Sequence, residues 1–422
     1  MTENSTSEAV FSDTASYRGR VRSHLPQDHP LQRSSADSGT AEAPLLARYR
    51  GVSTDAPPSV WFMRQAGRSL PEYRKLREGT TMLDSCVIPE MAAEITVQPV
   101  RRHRVDAGIF FSDIVVPMRL AGLEVEIKPG VGPVFARPVR TETDVDALPV
   151  LDDSFEEALE PIREAVRLTV AELGSTPLIG FAGAPFTVAS YLVEGAPSRD
   201  HLAARALMRS KPQVWDRLAA WVAEASGRFL RAQVLAGASA VQQFDSWAGS
   251  LSEHTYRTGA LPHSRALFDH VADLPVPRVH FGVGAAHLLA PMHEAGATVM
   301  GVDHRITLTE AAAHLPPGTP LQGNIDPAVL FTSEQVRFAE ADRVLADGAA
   351  AAGHVVNLGH GVPPETDPQV LTDLVAHLHE QPSVPASSSD GSSSSQGLSP
   401  AGVPAQSGSG GVQAPVITGA AG

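Results

Sequence analysis

The sequence predicts an α/β protein, a single (β/α)8 TIM barrel with a closed parallel sheet inside a ring of helices. Three observations predict it. Short apolar runs alternate with long helical patterns through the middle of the chain, there are eight such runs, and hairpin chemistry between them is sparse. Alternation of this kind builds parallel sheets, and roughly 340 residues is a comfortable size for a barrel with insertions. An open doubly wound sheet is the alternative.

The elements follow in order. Residues 1–43 are rich in Ser, Thr, Asp and Gln, and residues 381–422 are low-complexity Ser, Gly, Pro and Ala. Neither stretch buries enough apolar surface to offset its ordering entropy, so both are expected to be disordered tails around a compact domain at 44–380. The strand candidates are VWFMR (60–64), AGIFFSD (107–113), PLIGFAG (177–183), AVQQFDS (240–246), PRVHFGVG (277–284), ATVMGVD (297–303), PLQGNID (320–326) and HVVNLGH (354–360). Between them, segments such as SEQVRFAEADRVLADGAAA repeat apolar residues at helical spacing behind Ser, Thr or Pro starts.

Composition narrows the function. The 422 residues are 43% hydrophobic and 19% charged, which provides a large core and excludes a wholly disordered chain. The net charge of -14 argues against nucleic acid or an anionic membrane as partner, so an anionic ligand has to meet local positive charge. Cys86 is the only cysteine; it allows no intramolecular disulfide and no multi-cysteine metal site, and fits a reducing cytoplasm. The first twenty residues lack an apolar stretch and carry Glu3, Glu8 and Asp13, against a secretory or transit signal. No run of eighteen apolar residues is present, so no membrane span is expected.

In a barrel, chemistry sits where strands end. After the first run, Arg64, Arg68, Arg74, Lys75 and Arg77 crowd together in an acidic chain. Guanidinium groups meet carboxylate or phosphate with two parallel donors, although solvated loop arginines would have the same spacing. Asp113 ends the second run in an apolar setting, as a functional acid or as one half of an ion pair. Tyr191 follows GFAGAPF and either projects a hydroxyl or fills the core. The fourth run places Asp245 and Ser246 at the mouth, where no G-x-S-x-G surrounds Ser246 and hydrogen bonding to a ligand is the better reading. His360 stands between two glycines, for ligand contact or for the turn itself. Sixteen histidines invite a metal reading, but neither H-E-x-x-H nor C-x-x-C occurs, so no metal site is expected.

Taken together, FMRQAGRSLPEYRKLR, FSDI, GAPFTVASYLVEG, FDSWAG and NLGHG resemble the uroporphyrinogen decarboxylase family, in order, across the whole 44–380 region. The resemblance implies a homodimeric (β/α)8 barrel without metal or organic cofactor, removing CO2 from the four acetate arms of uroporphyrinogen III to give coproporphyrinogen III on the way to haem. It implies that Arg64, Arg68 and Arg77 hold substrate carboxylates and that Asp113 faces the pyrrole NH groups. Tyr191, Ser246 and His360 would surround the propionate and acetate arms. The resemblance makes Asp113 and Arg64 the catalytic candidates, with Arg64 delivering a proton through a substrate carboxyl or water, since a guanidinium is a reluctant acid. Two departures, His304 in GVDHR and Ala286-His287 in GVGAAH, fall at the mouth. Rival readings are a zinc-dependent methyl-transferring barrel, which lacks its cysteine ligands here, and a silent tetrapyrrole-binding protein.

Overall fold

The computed structural model describes residues 24–382. Each expected run carries a strand: β1 (Ser59–Val60), β2 (Gly108–Ile109), β5 (Leu178–Gly183), β6 (Ala240–Phe244), β7 (Arg278–Phe281), β8 (Val299–Gly301), β9 (Leu321–Gln322) and β10 (His354–Val356), while β3 (Val125–Lys128) and β4 (Gly132–Phe135) form a separate hairpin. The large sheet runs β1-β10-β9-β8-β7-β6-β5-β2, and its ladders are all parallel. Its two end strands are neighbours in sequence, so the sheet curls into a barrel.

The seam between β1 and β2 is closed by one residue. Asp106 donates its backbone N–H to the Val60 carbonyl at 2.8 Å, and its Oδ2 accepts the Val60 N–H at 2.7 Å. The same oxygen lies 2.9 Å from Nε2 of His379, on the last helix, Pro368–Glu380. Helices cover the outer face and side chains fill the inside, so all six residues of β5 are buried, as in a parallel sheet covered on both faces. The interior includes a polar chain: Trp61 Nε1 donates to Tyr49 Oη, Tyr49 Oη donates to Gln322 Oε1, and Gln322 Nε2 donates to Gln242 Oε1. Buried polar groups satisfied in this way specify one packing.

Helices start just beyond the strand ends. Ser252, Thr307, Ser333 and Asp367 cap the helices that follow β6, β8, β9 and β10 by accepting a backbone N–H two or three residues on. Ladders are shorter than the apolar runs because hydrophobicity reports burial, not pairing; Phe62 and Met63 leave the ladder and stay buried.

Two expectations are corrected. Residues 24–43, expected within the tail, fold: Leu25 and Leu31 are buried, His29 Nε2 donates to the Val234 carbonyl at 2.9 Å, and the Thr40 and Ser239 hydroxyls meet at 2.7 Å. This segment borrows partners from the barrel floor, so its own composition does not reveal the order. The hairpin was also not anticipated; Pro129-Gly130 turns the chain, with Gly130 and Gly132 at φ 74° and 114°. Residues 1–23 and 383–422, the rest of the expected tails, lie outside the described residues. Among the described residues no helix is long and apolar enough to cross a membrane.

Candidate active site

The loop after β1 is built to hold one arginine in an unusual pose. Gln65, fully buried, accepts the Phe62 N–H on Oε1 at 2.9 Å and donates from Nε2 to the Ala107 carbonyl at 3.0 Å. Asn357, just past β10, accepts the Met63 N–H at 3.0 Å, and the Val362 N–H donates to the Met63 carbonyl at 2.8 Å. Between these tethers Arg64 sits at φ 61°, a left-handed conformation that costs a non-glycine residue about 1–2 kcal/mol and persists only where surroundings impose it. A Cβ added to Gly361 would lie 2.5 Å from Arg64 Cδ, so the missing side chain is what lets the arginine lie across the Gly-His-Gly turn. Arg64 and Arg68 are exposed and form no ion pair or side-chain hydrogen bond among the described residues, although most other arginines do.

Asp113 lies beyond β2. Its Oδ1 accepts the Val115 N–H at 3.1 Å and its Oδ2 has no partner among the described residues. Burial lifts the carboxyl above its usual range; the Val115 N–H and the charge of Arg64 oppose that shift. Tyr191 is pushed up to about 12 by burial and by the charge of Asp113, against that of Arg64. His360 is lowered by burial and by the charges of Arg64, Arg305 and His304, against its bond to the Gly361 backbone. The charge of Arg64 thus acts on Asp113, Tyr191 and His360, and that of Asp113 on Tyr191.

Other expected residues are placed differently. Arg77 is engaged within its own loop: Nε donates to Ser85 Oγ at 3.0 Å, one terminal nitrogen to Tyr73 Oη at 2.6 Å and the other to the Thr80 carbonyl at 3.2 Å. Ser246 is half-buried beside the site without a side-chain hydrogen bond among the described residues. Asp245, expected at the mouth, is fully buried and accepts the Thr187 hydroxyl at 2.7 Å. Thr187 in turn accepts the Trp247 N–H at 3.3 Å, and Trp247 stacks between Tyr191 and His201, with ring centroids 3.9 and 4.1 Å away. Sequence reading missed this brace; the Trp after FDS was its one visible trace. His287, one of the two departures, spends Nε2 on the Leu251 carbonyl at 2.8 Å. A separate cavity of about 680 Å³ lies at the opposite end of the strands, lined by Glu42, Arg101, Asp106 and Glu172 among others, and shares no residue with the mouth. Among the described residues no three His, Cys, Asp or Glu side chains converge as a metal site.

Fold and mouth together define a (β/α)8-barrel enzyme with guanidinium groups unpaired among the described residues and a half-buried acid where its strands end. The profile of the family "Uroporphyrinogen decarboxylase (URO-D)" matches residues 40–381, and the chain belongs to that family. It is 60% identical over 343 residues to the uroporphyrinogen decarboxylase of Arthrobacter sp. (strain FB24), covering 81% of this chain and 98% of the relative. It is 58% identical over 374 residues to that of Leifsonia xyli subsp. xyli (strain CTCB07), covering 84% and 98%. Among solved structures, a methyltransferase from Methanosarcina mazei superposes with a TM-score of 0.66 at 20% identity, covering 81% of this chain and 98% of that one, a likeness of fold alone.

Proposed function

We propose that the chain removes CO2 from the four acetate side chains of uroporphyrinogen III, giving coproporphyrinogen III, with no metal or organic cofactor. The observation that carries this reading is Asp113: a half-buried carboxylate beyond β2 with one oxygen free of partners among the described residues, lying within the field of the Arg64 guanidinium. Such an oxygen is open to the N–H donors or the cationic ring that a substrate brings. A pyrrole acetate loses CO2 once its ring carbon is protonated, because the iminium-like ring accepts the electrons of the breaking C–C bond. The exocyclic carbon is then protonated to a methyl group and the ring proton departs. Asp113 faces the pyrrole NH groups and stabilises the positive charge that exists only during this sequence, which is how a fixed charge accelerates a reaction.

Arg64 and Arg68 hold substrate carboxylates at the β1 side, with Arg64 placed to pass a proton through a bound carboxyl or water. Tyr191, braced on Trp247, and Ser246 and His360 border the arms. Arg77 supports the loop from behind through Tyr73 and Ser85. The reading extends to a cytoplasmic homodimer acting on a small molecule, without nucleic acid or membrane; the net charge of -14 favours the last two points. The test is to supply uroporphyrinogen anaerobically to purified protein with no added cofactor and to follow CO2 and product carboxyl count. Loss of four carboxyls supports the reading; unchanged substrate refutes it.

A further inference from the structure

A substrate ringed with carboxylates outnumbers Arg64 and Arg68, and the mouth holds another guanidinium that no step above uses. Arg305 lies four residues beyond β8. Two residues before it, Asp303 is buried, 3% exposed, and its carboxylate is committed: Oδ2 accepts the Gly284 N–H at 2.6 Å and pairs with one terminal nitrogen of Arg305, while Oδ1 accepts the Arg305 N–H at 3.2 Å. The Arg305 side chain is nonetheless 51% exposed, and its Nε and second terminal nitrogen have no partner among the described residues. A buried acid thus fixes one edge of the guanidinium and leaves the other open, the support that a binding arginine needs to hold its direction.

The position points to the same substrate. A Cβ on Gly359 would lie 2.3 Å from the His304 backbone nitrogen, so the 303–305 turn abuts the Gly-His-Gly turn on which Arg64 also lies, at Gly361. Arg64 and Arg305 flank His360, and the charges of both act on its ring. From this geometry we propose that Arg305 is a further substrate-binding residue, its open edge taking a peripheral carboxylate on the β8–β10 side of the mouth. The proposal rests on the reading that the mouth accepts a polycarboxylate tetrapyrrole.

The test titrates uroporphyrin, the oxidised and unreactive octacarboxylate, against wild type, Arg305→Ala and Arg305→Lys, with KM, kcat and melting temperature measured beside it. Arg305→Ala is expected to weaken uroporphyrin binding about tenfold and to raise KM similarly, with kcat and melting temperature held and part of the affinity restored by Lys. Affinity within about twofold of wild type in the Ala variant, or a loss that comes with a lower melting temperature, would overturn it. Wild type that binds uroporphyrin but releases no CO2 from uroporphyrinogen would sink the proposed function and leave this anchor standing.

Discussion

Gln65→Met tests whether Arg64 is held in place by the barrel rather than by its substrate. The substitution keeps the length of a fully buried side chain and removes both its polar ends. The Phe62 N–H loses its acceptor at 2.9 Å and the Ala107 carbonyl its donor at 3.0 Å. Each orphaned buried group costs about 1–3 kcal/mol, so the loss of stability is about 2–6 kcal/mol. The catalytic effect is separate. With one tether gone, Arg64 relaxes from φ 61° toward ordinary backbone, and a displacement of about 1 Å in a positioning group lowers turnover about a hundredfold. Urea unfolding gives the first quantity, and CO2 release well below the melting temperature gives the second. A stability change under about 1 kcal/mol, or a destabilised variant with turnover within about twofold of wild type, would refute the tether.

Other outcomes follow from the same geometry. Gly361→Ala is expected to crowd the Arg64 stem, whose Cδ, Cγ and Cβ would lie 2.5, 2.8 and 3.2 Å from the added methyl, and to reduce kcat/KM about tenfold by pushing that guanidinium aside; wild-type kinetics would contradict the close approach. Arg64→Lys keeps the charge and loses the paired donors, for a loss of about ten- to a hundredfold in kcat/KM. His29, His103 and His354 are each pushed down to about 4, chiefly by burial. The unfolded chain takes up these protons near pH 6.5 and the folded chain refuses them until about pH 4, so stability is lost as pH falls across that window. Each contributes up to about 1.4 kcal/mol per pH unit, about 4 for the three, measurable as urea midpoints between pH 7 and 5; a flat profile would count against it.

The barrel and its strands were legible in the sequence because burial and strand-helix alternation leave a local trace, and Arg64 and Asp113 stood out as polar residues ending apolar runs. Gln65 and Asn357 left no such trace, and Asp303, although it ends the run 297–303, showed nothing of its partners. The role of each exists only because a segment distant in sequence comes within hydrogen-bond distance. Arg77 shows the converse: its spacing placed it among the arginines, but Tyr73 and Ser85 lie ahead of its guanidinium and take it. Residues 24–43 were misread for a related reason, since a segment that completes another element's hydrogen bonds needs little apolar surface of its own.

Asp113→Asn, assayed for uroporphyrin affinity and for CO2 release from uroporphyrinogen, bears most directly on the catalytic centre. Burial makes the Asp113 charge a cost to the folded state at neutral pH, because the folded carboxyl holds its proton to higher pH than the unfolded one. The variant should therefore be at least as stable as wild type at pH 7, bind within about threefold, and release CO2 about a hundred- to a thousandfold more slowly. Undiminished CO2 release would contradict the assignment of the fixed charge to this residue.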